Sequence, residues 1–294
     1  MIYIIVGPTG SGKTEVAMKC SNYLSNAPII NADAYQIYKD MNIGTAKCDV
    51  NSEEYRRHTL LDIKSPDEEF SVMEYQRLFR EKVEELSKNN KDIIVCGGTG
   101  LYIRASIYDY RFEELEDDDV SDLEQLSNDE LWEMLIKLDE NSAVNIHKNN
   151  RKRVIRAISI ARSSKQTKSQ NISNQSHLLI YPEDQIKIFM IDRDRDELYE
   201  RINKRVDVMI EKGLVNEVSE LIKKYNLSRT AKAAIGYKEI ISFLDNEITL
   251  EESIELIKKR SRNYAKRQIT FFKHQLNCIN IKSFEDIKEV ISNE

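Results

Sequence analysis

The chain contains 294 residues, 40% of them hydrophobic, and carries a formal net charge of −6 at pH 7. This length suffices for one or two buried cores but excludes an array of several domains. No apolar run reaches the roughly 18 residues that suggest a membrane span, and the N-terminus lacks a signal-peptide pattern, so we expect a soluble, cytoplasmic monomer with no membrane association. The four cysteines form no C-x-x-C pair, which indicates reduced thiols rather than a zinc site or a disulfide framework.

The chain begins with a strand, a glycine-rich turn and a helix. Residues 2–6 form a β-branched apolar run that predicts a buried strand, and residues 13–22 have the spacing of an amphipathic helix. GPTGSGKT at residues 7–14 matches the phosphate-loop pattern G-x-x-x-x-G-K-[ST]. Backbone N–H groups at a helix N-terminus can converge on an anion, while Lys13 adds a charge and Thr14 a hydroxyl for Mg²⁺. The loop predicts a bound phosphate chain, the alternative being a glycine turn without a ligand.

Strand and helix patterns continue to alternate along the chain. Residues 28–33 predict a short strand ending at Asp33, and residues 92–96 predict another, stopped by Gly97-Gly98-Thr99-Gly100. The pattern is typical of an α/β fold, a P-loop NTPase-like doubly wound parallel sheet with a helical insertion domain. The other predicted elements are helices at 70–87, 131–138 and 154–161, a flexible polar link at 163–176, a strand at 185–191 and helix from 196 to nearly the end.

These patterns give three predicted segments. Residues 1–108 form the first part of the P-loop core, 109–183 the helical insertion domain, and 184–294 the second, mostly helical part of the core.

Charge is unevenly distributed along the chain. Residues 113–130 are rich in Asp and Glu, whereas residues 147–168 and 257–274 contain Lys and Arg but no acidic residue. The net negative charge taken alone argues against a nucleic-acid partner, but basic stripes can contact RNA phosphates even on an acidic protein. The alternative is that both stripes are solvated helix faces.

The predicted strand ends indicate where a ligand should bind. In open parallel sheets, ligands bind beyond the carboxyl ends of the strands, so Asp33 and the Gly97-Gly98-Thr99 turn should face the same crevice as Lys13. Asp33 alone could be a Mg²⁺ ligand or a hydrogen-bonded turn residue. Strand 92–96 ends in glycines where a phosphate-loop ATPase usually has a metal-binding Asp. Ordinary ATP hydrolysis is therefore less attractive.

Eight segments together are typical of one family. They are GPTGSGKT (7–14), NADAYQIYKDMNIGTAK (31–47), HTLLDI (58–63), GGTGLYI (97–103), HKNNRKRVIRAI (147–158), LYERINKRVDVMIEKGLVNEV (198–218), AAIGYKE (233–239) and KKRSRNYAKRQITFFK (258–273). In this order, and across almost the whole chain, they resemble the tRNA dimethylallyltransferases (tRNA isopentenyltransferases) of bacterial type. The phosphate loop occurs in many families, but its combination with D-x-x-Q-x-Y-x-x-M-x-I-G-T-A-K and Y-A-K-R-Q-x-T is specific.

The resemblance implies a prenyl transfer. A dimethylallyl group would move from dimethylallyl diphosphate to the exocyclic amine of the adenosine on the 3′ side of a tRNA anticodon, giving N6-dimethylallyladenosine. Mg²⁺ is the implied cofactor, and dimethylallyl diphosphate and the tRNA anticodon stem-loop are the implied partners. The positions that match the diphosphate site are Gly7, Thr9, Gly10, Ser11, Gly12, Lys13 and Thr14, with Thr14 as the metal ligand.

Three residues match catalytic positions of the family. Asp33 matches the proposed general base, which takes a proton from the attacking amine. Thr99 matches a hydroxyl that lines the reaction channel, and Arg205 matches a cation beside the diphosphate. Without the resemblance, Thr99 could equally be a plain turn residue and Arg205 an exposed helix arginine.

The resemblance also implies that the insertion domain, residues 109–183, binds tRNA, and it indicates which residues contact RNA. An adenine base must be unstacked to reach a buried donor, so the pocket should accept a flipped nucleotide. Many relatives have Ser where this chain has Ala34, which removes one hydroxyl contact. Tyr35 and Tyr237 could equally be core aromatics. The positions that match RNA contacts are Asp33, Ala34, Tyr35, Gln36, Arg153, Arg156, Ile235, Gly236, Tyr237 and Lys238.

Three other functions compete with this interpretation. A small-molecule kinase would share the phosphate loop but would not explain the basic segments or residues 264–270. An isopentenyltransferase acting on free adenine nucleotides would have little need for a basic insertion. A non-catalytic RNA-binding module would not need Asp33, and the intact Lys13-Thr14 pair argues against it.

Overall fold

The computed structural model describes residues 1–89, 91–112, 120–163, 167, 169–170 and 178–293. Its contacts divide the chain into two compact units, Met1–Ile107 with Tyr181–Glu294, and Tyr108–Ile180. The sequence-based division placed the insertion at 109–183. Part of the predicted acidic run, residues 113–119, and most of the predicted polar link lie outside the described residues.

The first unit contains a parallel sheet, as predicted. Its described strands lie in the order β3-β2-β4-β1-β5-β6, and every neighbouring pair is parallel. Strands were predicted at the positions of β1, β2, β4 and β5, but β3 and β6 were not, and the prediction of helix from 196 to nearly the end was wrong at β6. The strands are β1 (Ile2–Val6), β2 (Ile29–Asn31), β3 (His58–Thr59), β4 (Ile93–Gly97), β5 (Ile186–Ile191) and β6 (Ile279–Ile281).

The register of the central strands brings the predicted site residues to one edge. Every residue of β1 and β4 is buried, as expected for β-branched runs covered by helices on both faces of a parallel sheet. Val6 pairs with Gly97 in β4 and with Met190 in β5, and Asn31 at the end of β2 pairs with Cys96. The loops that follow β1, β2 and β4 therefore start side by side.

Helices α1 and α3 confirm the predicted helical segments that flank the first strands. Helix α1 begins after Gly12, whose φ of +90° is readily adopted only by glycine. Among the described helices, none is both long and apolar enough to cross a membrane. The helices of the first unit are α1 (Lys13–Tyr23), α2 (Glu53–Arg57), α3 (Val72–Ser87), α4 (Gly100–Ile107), α9 (Arg195–Glu211), α10 (Leu214–Lys224), α11 (Arg229–Lys232), α12 (Tyr237–Leu244), α13 (Leu250–Gln275) and α14 (Phe284–Ser292).

The second unit is helical and has its own core. Leu131 and Leu135 pack with Val154 and Ile158, and all four are fully buried. The predicted helices at 131–138 and 154–161 are confirmed within longer helices, one of which begins with a capping box formed by Ser127 and Glu130. The described helices of this unit are α5 (Ser121–Glu124), α6 (Asn128–Leu138), α7 (Glu140–Asn145) and α8 (Arg151–Ser163).

Candidate active site

The phosphate loop lies where β1 ends and α1 begins. Gly10 and Gly12 adopt φ angles of +81° and +90°, so the sharp turn depends on residues without a Cβ atom. The Lys13 ammonium folds back and donates to the Pro8 carbonyl at 3.0 Å. The buried Ser11 hydroxyl has no hydrogen-bond partner in the described part of the chain. A buried polar atom without a partner calls for an explanation, and a phosphate oxygen would supply one.

Residues outside the phosphate loop hold its shape. Arg193 Nε donates to the Ser11 carbonyl at 2.6 Å, and Arg201 Nε donates to the Gly10 carbonyl at 2.9 Å. Both guanidinium groups also bring positive charge to this loop: a Cβ atom at Gly12 would lie 3.4 Å from Arg193 Nη2 and 3.6 Å from Arg201 Nη2. Neither arginine was predicted, because their positions on and before a charged helix resemble ordinary surface residues.

Gln268 links the phosphate loop to the turn after β4. Its Oε1 accepts from the Thr9 amide and its Nε2 donates to the Gly98 carbonyl, both at 2.8 Å. The side chain is buried, and a Cβ atom at Gly98 would lie 2.3 Å from Nε2, so the turn needs glycine there. Gln268 was not predicted as a site residue, although it lies in the Y-A-K-R-Q-x-T pattern. That pattern was the only signal that could have identified it.

The Lys13 side chain lies in an environment that disfavours its charge. Burial lowers its pKa from 10.5 to about 8, and the neighbouring Arg205 charge acts in the same direction, while Asp33 opposes the shift. Burial likewise lowers the pKa of Arg205, again opposed by Asp33. Two buried cations next to one carboxylate leave an excess of positive charge, which a bound anion would neutralise.

Asp33 combines a turn role with an available oxygen. Its Oδ1 accepts from the amides of Tyr35 at 2.9 Å and Gln36 at 3.4 Å, which caps the turn after β2. Its Oδ2 makes no hydrogen bond among the described residues. The Thr99 hydroxyl accepts from the Ala34 amide at 3.0 Å, so this hydroxyl ties the β4 turn to the Asp33 loop. The predicted turn role of Asp33 is therefore real, and it leaves one carboxylate oxygen for chemistry.

Two adjoining cavities meet at four side chains of the first unit, Thr9, Asp33, Arg205 and Tyr264. The smaller cavity, about 90 Å³, is lined mainly by polar groups and contains Lys13 and Thr14. The larger, about 210 Å³, has an apolar wall made by Ile202, Val206, Met209, Ala233, Ala234, Ile235 and Ile257.

Some of the predicted RNA-contact residues of the first unit line the two cavities, whereas Ala34, Gly236 and Lys238 line neither. Tyr35, Ile235 and Tyr237 line it, and Gln36 lines the smaller one. Tyr237 is fully buried, as a core aromatic would be, yet its ring also faces this cavity. Gly236 is buried with a φ of +98°, and Lys238 is exposed.

The basic stripe of the second unit is only partly used within that unit. Arg151 donates to the carbonyls of Leu123 and Glu124, and Arg162 pairs with Asp122 at 2.8 Å. In contrast, Arg153 and Arg156 are exposed on α8 and have no ion pair within the described residues. Arg153 and Arg156, the two predicted RNA-contact arginines, are thus available to a partner. Arg151, the first residue of α8, is instead held by hydrogen bonds within the unit.

The second basic segment, on α13, is divided in the same way. Lys258 pairs with Asp207 at 2.8 Å, and Arg260 pairs with the buried Glu239. Lys266 and Arg267 are exposed and form no ion pair among the described residues. This helix therefore presents charge outward as well as anchoring its neighbours.

Residues 36–275 match the sequence pattern of the family described as IPP transferase. The chain belongs to this family. A tRNA dimethylallyltransferase of Clostridioides difficile is 42% identical to this IPP transferase over 298 residues, which cover 98% of this chain and 94% of the relative. The tRNA dimethylallyltransferase of Bacillus subtilis is 42% identical over 281 residues, which cover 94% of this chain and 88% of the relative.

Solved structures of the family have the same fold as this IPP transferase. The tRNA isopentenylpyrophosphate transferase of Staphylococcus epidermidis superposes with a TM-score of 0.72 at 37% identity and covers 99% of this chain and 98% of its own. A eukaryotic dimethylallyltransferase acting on tRNA has a TM-score of 0.81 at 24% identity, with 100% of this chain and 80% of that chain covered. The predicted P-loop NTPase-like α/β fold is confirmed.

Proposed function

We propose that this protein transfers the dimethylallyl group of dimethylallyl diphosphate to the exocyclic amine of an adenosine in tRNA, on the 3′ side of the anticodon. The family membership makes it a tRNA prenyltransferase. The observation that carries the proposal is the position of Asp33 and Arg205 at the boundary between a polar cavity with the phosphate loop and a larger, apolar-walled cavity. A donor with a diphosphate head and an isoprenoid tail fits this division.

The phosphate loop binds the diphosphate of the donor. Burial disfavours the charged forms of Lys13 and Arg205, and a bound anion beside them offsets this cost. The Ser11 hydroxyl lacks a partner and can donate to a phosphate oxygen. When the bond between the allylic carbon and the diphosphate oxygen breaks, negative charge grows on the oxygens that these groups face. They therefore stabilise the leaving group as it forms.

The residues present fit a bound Mg²⁺. No group of three or more acidic, His or Cys side chains suited to a metal occurs among the described residues, and Mg²⁺ with a phosphate substrate needs only one or two protein ligands because substrate and water oxygens supply the rest. Thr14, which lines the polar cavity together with Asp33, would hold the ion through its hydroxyl. Mg²⁺ would neutralise charge on the departing diphosphate.

Asp33 acts as the general base. The amine nitrogen forms a bond to the allylic carbon, the carbon–oxygen bond to diphosphate breaks, and the amine proton passes to the carboxylate. The Asp33 Oδ2 atom is suited to this step because Oδ1 is held by the amides of Tyr35 and Gln36, which fix the orientation of the carboxylate. The Thr99 hydroxyl holds the same loop through Ala34.

Exposed basic side chains of the second unit bind the RNA. Arg153 and Arg156 are free to contact phosphates of the anticodon stem-loop. In the first unit, Tyr35 and Ile235 line the cavity that would receive the unstacked adenine. Free adenine nucleotides would use the cavity but not the exposed arginines, so these arginines favour tRNA as the acceptor.

The proposal is tested by incubation with dimethylallyl diphosphate, Mg²⁺ and unmodified tRNA, followed by mass analysis of the nucleosides. We expect N6-dimethylallyladenosine without added ATP. A product that forms only with ATP would indicate a kinase, and faster modification of AMP than of tRNA would indicate an enzyme acting on free nucleotides. Either result would contradict the proposal.

A further inference from the structure

We propose that Glu217 is a positioning residue for Arg205 and acts on it through the backbone loop 42–45. The inference rests on the proposed function, in which Arg205 contacts the donor diphosphate. Glu217 lies on α10, whereas Arg205 lies on α9. Both side chains form hydrogen bonds with loop 42–45. Neither the family pattern matched here nor the composition of α10 assigns this carboxylate a role.

The Glu217 carboxylate collects four hydrogen bonds. Its Oε2 accepts from the Asn42 amide at 3.0 Å and the Ile43 amide at 2.7 Å. Its Oε1 accepts from the Gly44 amide at 3.1 Å and the Tyr237 hydroxyl at 2.6 Å. Three successive backbone amides that converge on one anion form a stable local structure, because hydrogen bonds to an ionised acceptor are stronger than neutral ones.

The loop is also packed tightly against Tyr237. A Cβ atom at Gly44 would lie 2.4 Å from the Tyr237 ring, so the backbone rests directly against the hydroxyl end of this side chain. Tyr237 is fully buried, and its ring and Gly44 both line the larger cavity. Glu217 therefore fixes a part of the cavity wall.

Thr45, the next residue of the loop, connects this ordered segment to Arg205. The Thr45 carbonyl accepts from Arg205 Nη2 at 3.3 Å and from Gln36 Nε2 at 3.2 Å. The Thr45 hydroxyl donates to the Met41 carbonyl at 2.6 Å, which closes the loop on itself. Since Arg205 makes no other hydrogen bond among the described residues, the Thr45 carbonyl is its one direct anchor there.

Substitution of Glu217 by Gln disturbs this hydrogen-bonded arrangement and leaves the volume of the side chain nearly unchanged. One of the two oxygens becomes an NH₂ group, which cannot accept a hydrogen bond. If the NH₂ group faces Tyr237, the hydroxyl can rotate and accept, but the Gly44 amide loses its acceptor; in the opposite orientation, both Asn42 and Ile43 lose theirs. The loop adjacent to Thr45 is loosened in either case, and Arg205 loses a fixed partner.

Single-turnover transfer at saturating tRNA measures the effect. We expect Glu217→Gln to lower the rate about tenfold, the size of one lost charge-assisted hydrogen bond, with little change in tRNA affinity. Glu220→Gln is the matched control, because Glu220 lies on the same helix and its exposed side chain pairs, within the described part of the chain, only with Lys223. It should transfer at the wild-type rate.

A double-mutant cycle separates positioning from general stability. If Glu217 acts through Arg205, Glu217→Gln should lower the rate less than about twofold when Arg205 is already Ala. An equal loss in both backgrounds would overturn the inference and leave the proposed function intact. A wild-type rate in Arg205→Ala would overturn the proposed role of Arg205 and, with it, this inference.

Tyr237→Phe is a second variant in case Glu217→Gln does not fold. It removes one donor to Glu217 and retains the ring that supports Gly44. We expect a smaller loss of rate that again disappears in the Arg205→Ala background. Hydrogen exchange of the Asn42, Ile43 and Gly44 amides should accelerate in Glu217→Gln, and unchanged exchange there would also overturn the inference.

Discussion

Donor binding should weaken as the pH rises above 8, because Lys13 loses its charge in the empty site. Burial lowers the pKa of Lys13 from 10.5 to about 8. A diphosphate binds the charged form, so binding raises this pKa again. By linkage, affinity is nearly constant below pH 7 and falls by up to tenfold for each pH unit above 8, until the pKa of the bound state is reached.

The magnitude follows from the fraction of charged Lys13. With a pKa of about 8, most of the lysine is charged at pH 7 and about one tenth at pH 9, so the dissociation constant should rise about tenfold between these values. The last ionisation of a phosphate lies near pH 6, so the ligand itself changes little over this range. Burial raises the pKa of the adjacent Cys96 to about 12, so this residue remains a thiol.

Calorimetric titration of dimethylallyl diphosphate without tRNA measures this dependence, because no transfer can occur. Lys13→Arg, which keeps its charge throughout, and Lys13→Ala, which has none, are the controls, and their pH profiles should be flat. A wild-type affinity that is equal at pH 7 and pH 9 would show that donor binding does not depend on the charge of Lys13. A tenfold decline in Lys13→Ala would do so as well, since another group would then be titrating.

Other predictions concern the loop, the metal and the RNA. Gln268→Ala should lower the free energy of unfolding by about 2–4 kcal/mol, because it leaves the part-buried Thr9 amide and the buried Gly98 carbonyl unpaired; urea denaturation measures this, and an unchanged midpoint would contradict it. Thr14→Ala should abolish Mg²⁺-dependent transfer and leave tRNA binding within a few fold, whereas weak tRNA binding with normal turnover would count against it. Arg153→Ala and Arg156→Ala should weaken tRNA binding and lower its salt slope by at most about one unit each. Arg151→Ala, which removes internal hydrogen bonds, should instead lower thermal stability, and equal effects of all three on RNA binding would refute this division.

The sequence predicted the central sheet well because its strands are long apolar runs. Residues 2–6, 92–96 and 185–191 read as buried strands and are strands β1, β4 and β5. The strands that were missed, His58–Thr59 and Ile279–Ile281, lie at the two edges of the sheet. Two or three residues show no periodicity, so only pairing with a neighbouring strand identifies them.

The part of the site that lies at the strand ends was predicted more completely than the part contributed by the helices. The phosphate loop, Asp33 and Thr99 follow from strand ends that meet at one edge of a parallel sheet. Gln268, Glu217 and the two loop-binding arginines lie on or next to helices that read as polar surface, and the loop groups that they bind are more than a hundred residues away. Such long-range hydrogen bonds leave no trace in local spacing.

The most direct test of the account is the rate of a single turnover by Asp33→Asn at saturating tRNA and donor. Asn retains an oxygen that can accept from the amides of Tyr35 and Gln36, so the turn and the thermal stability should be preserved. It cannot take the amine proton, and we therefore expect the rate to fall by roughly 10²- to 10⁴-fold with modest change in tRNA affinity. An unchanged single-turnover rate would contradict the assignment of Asp33 as the general base.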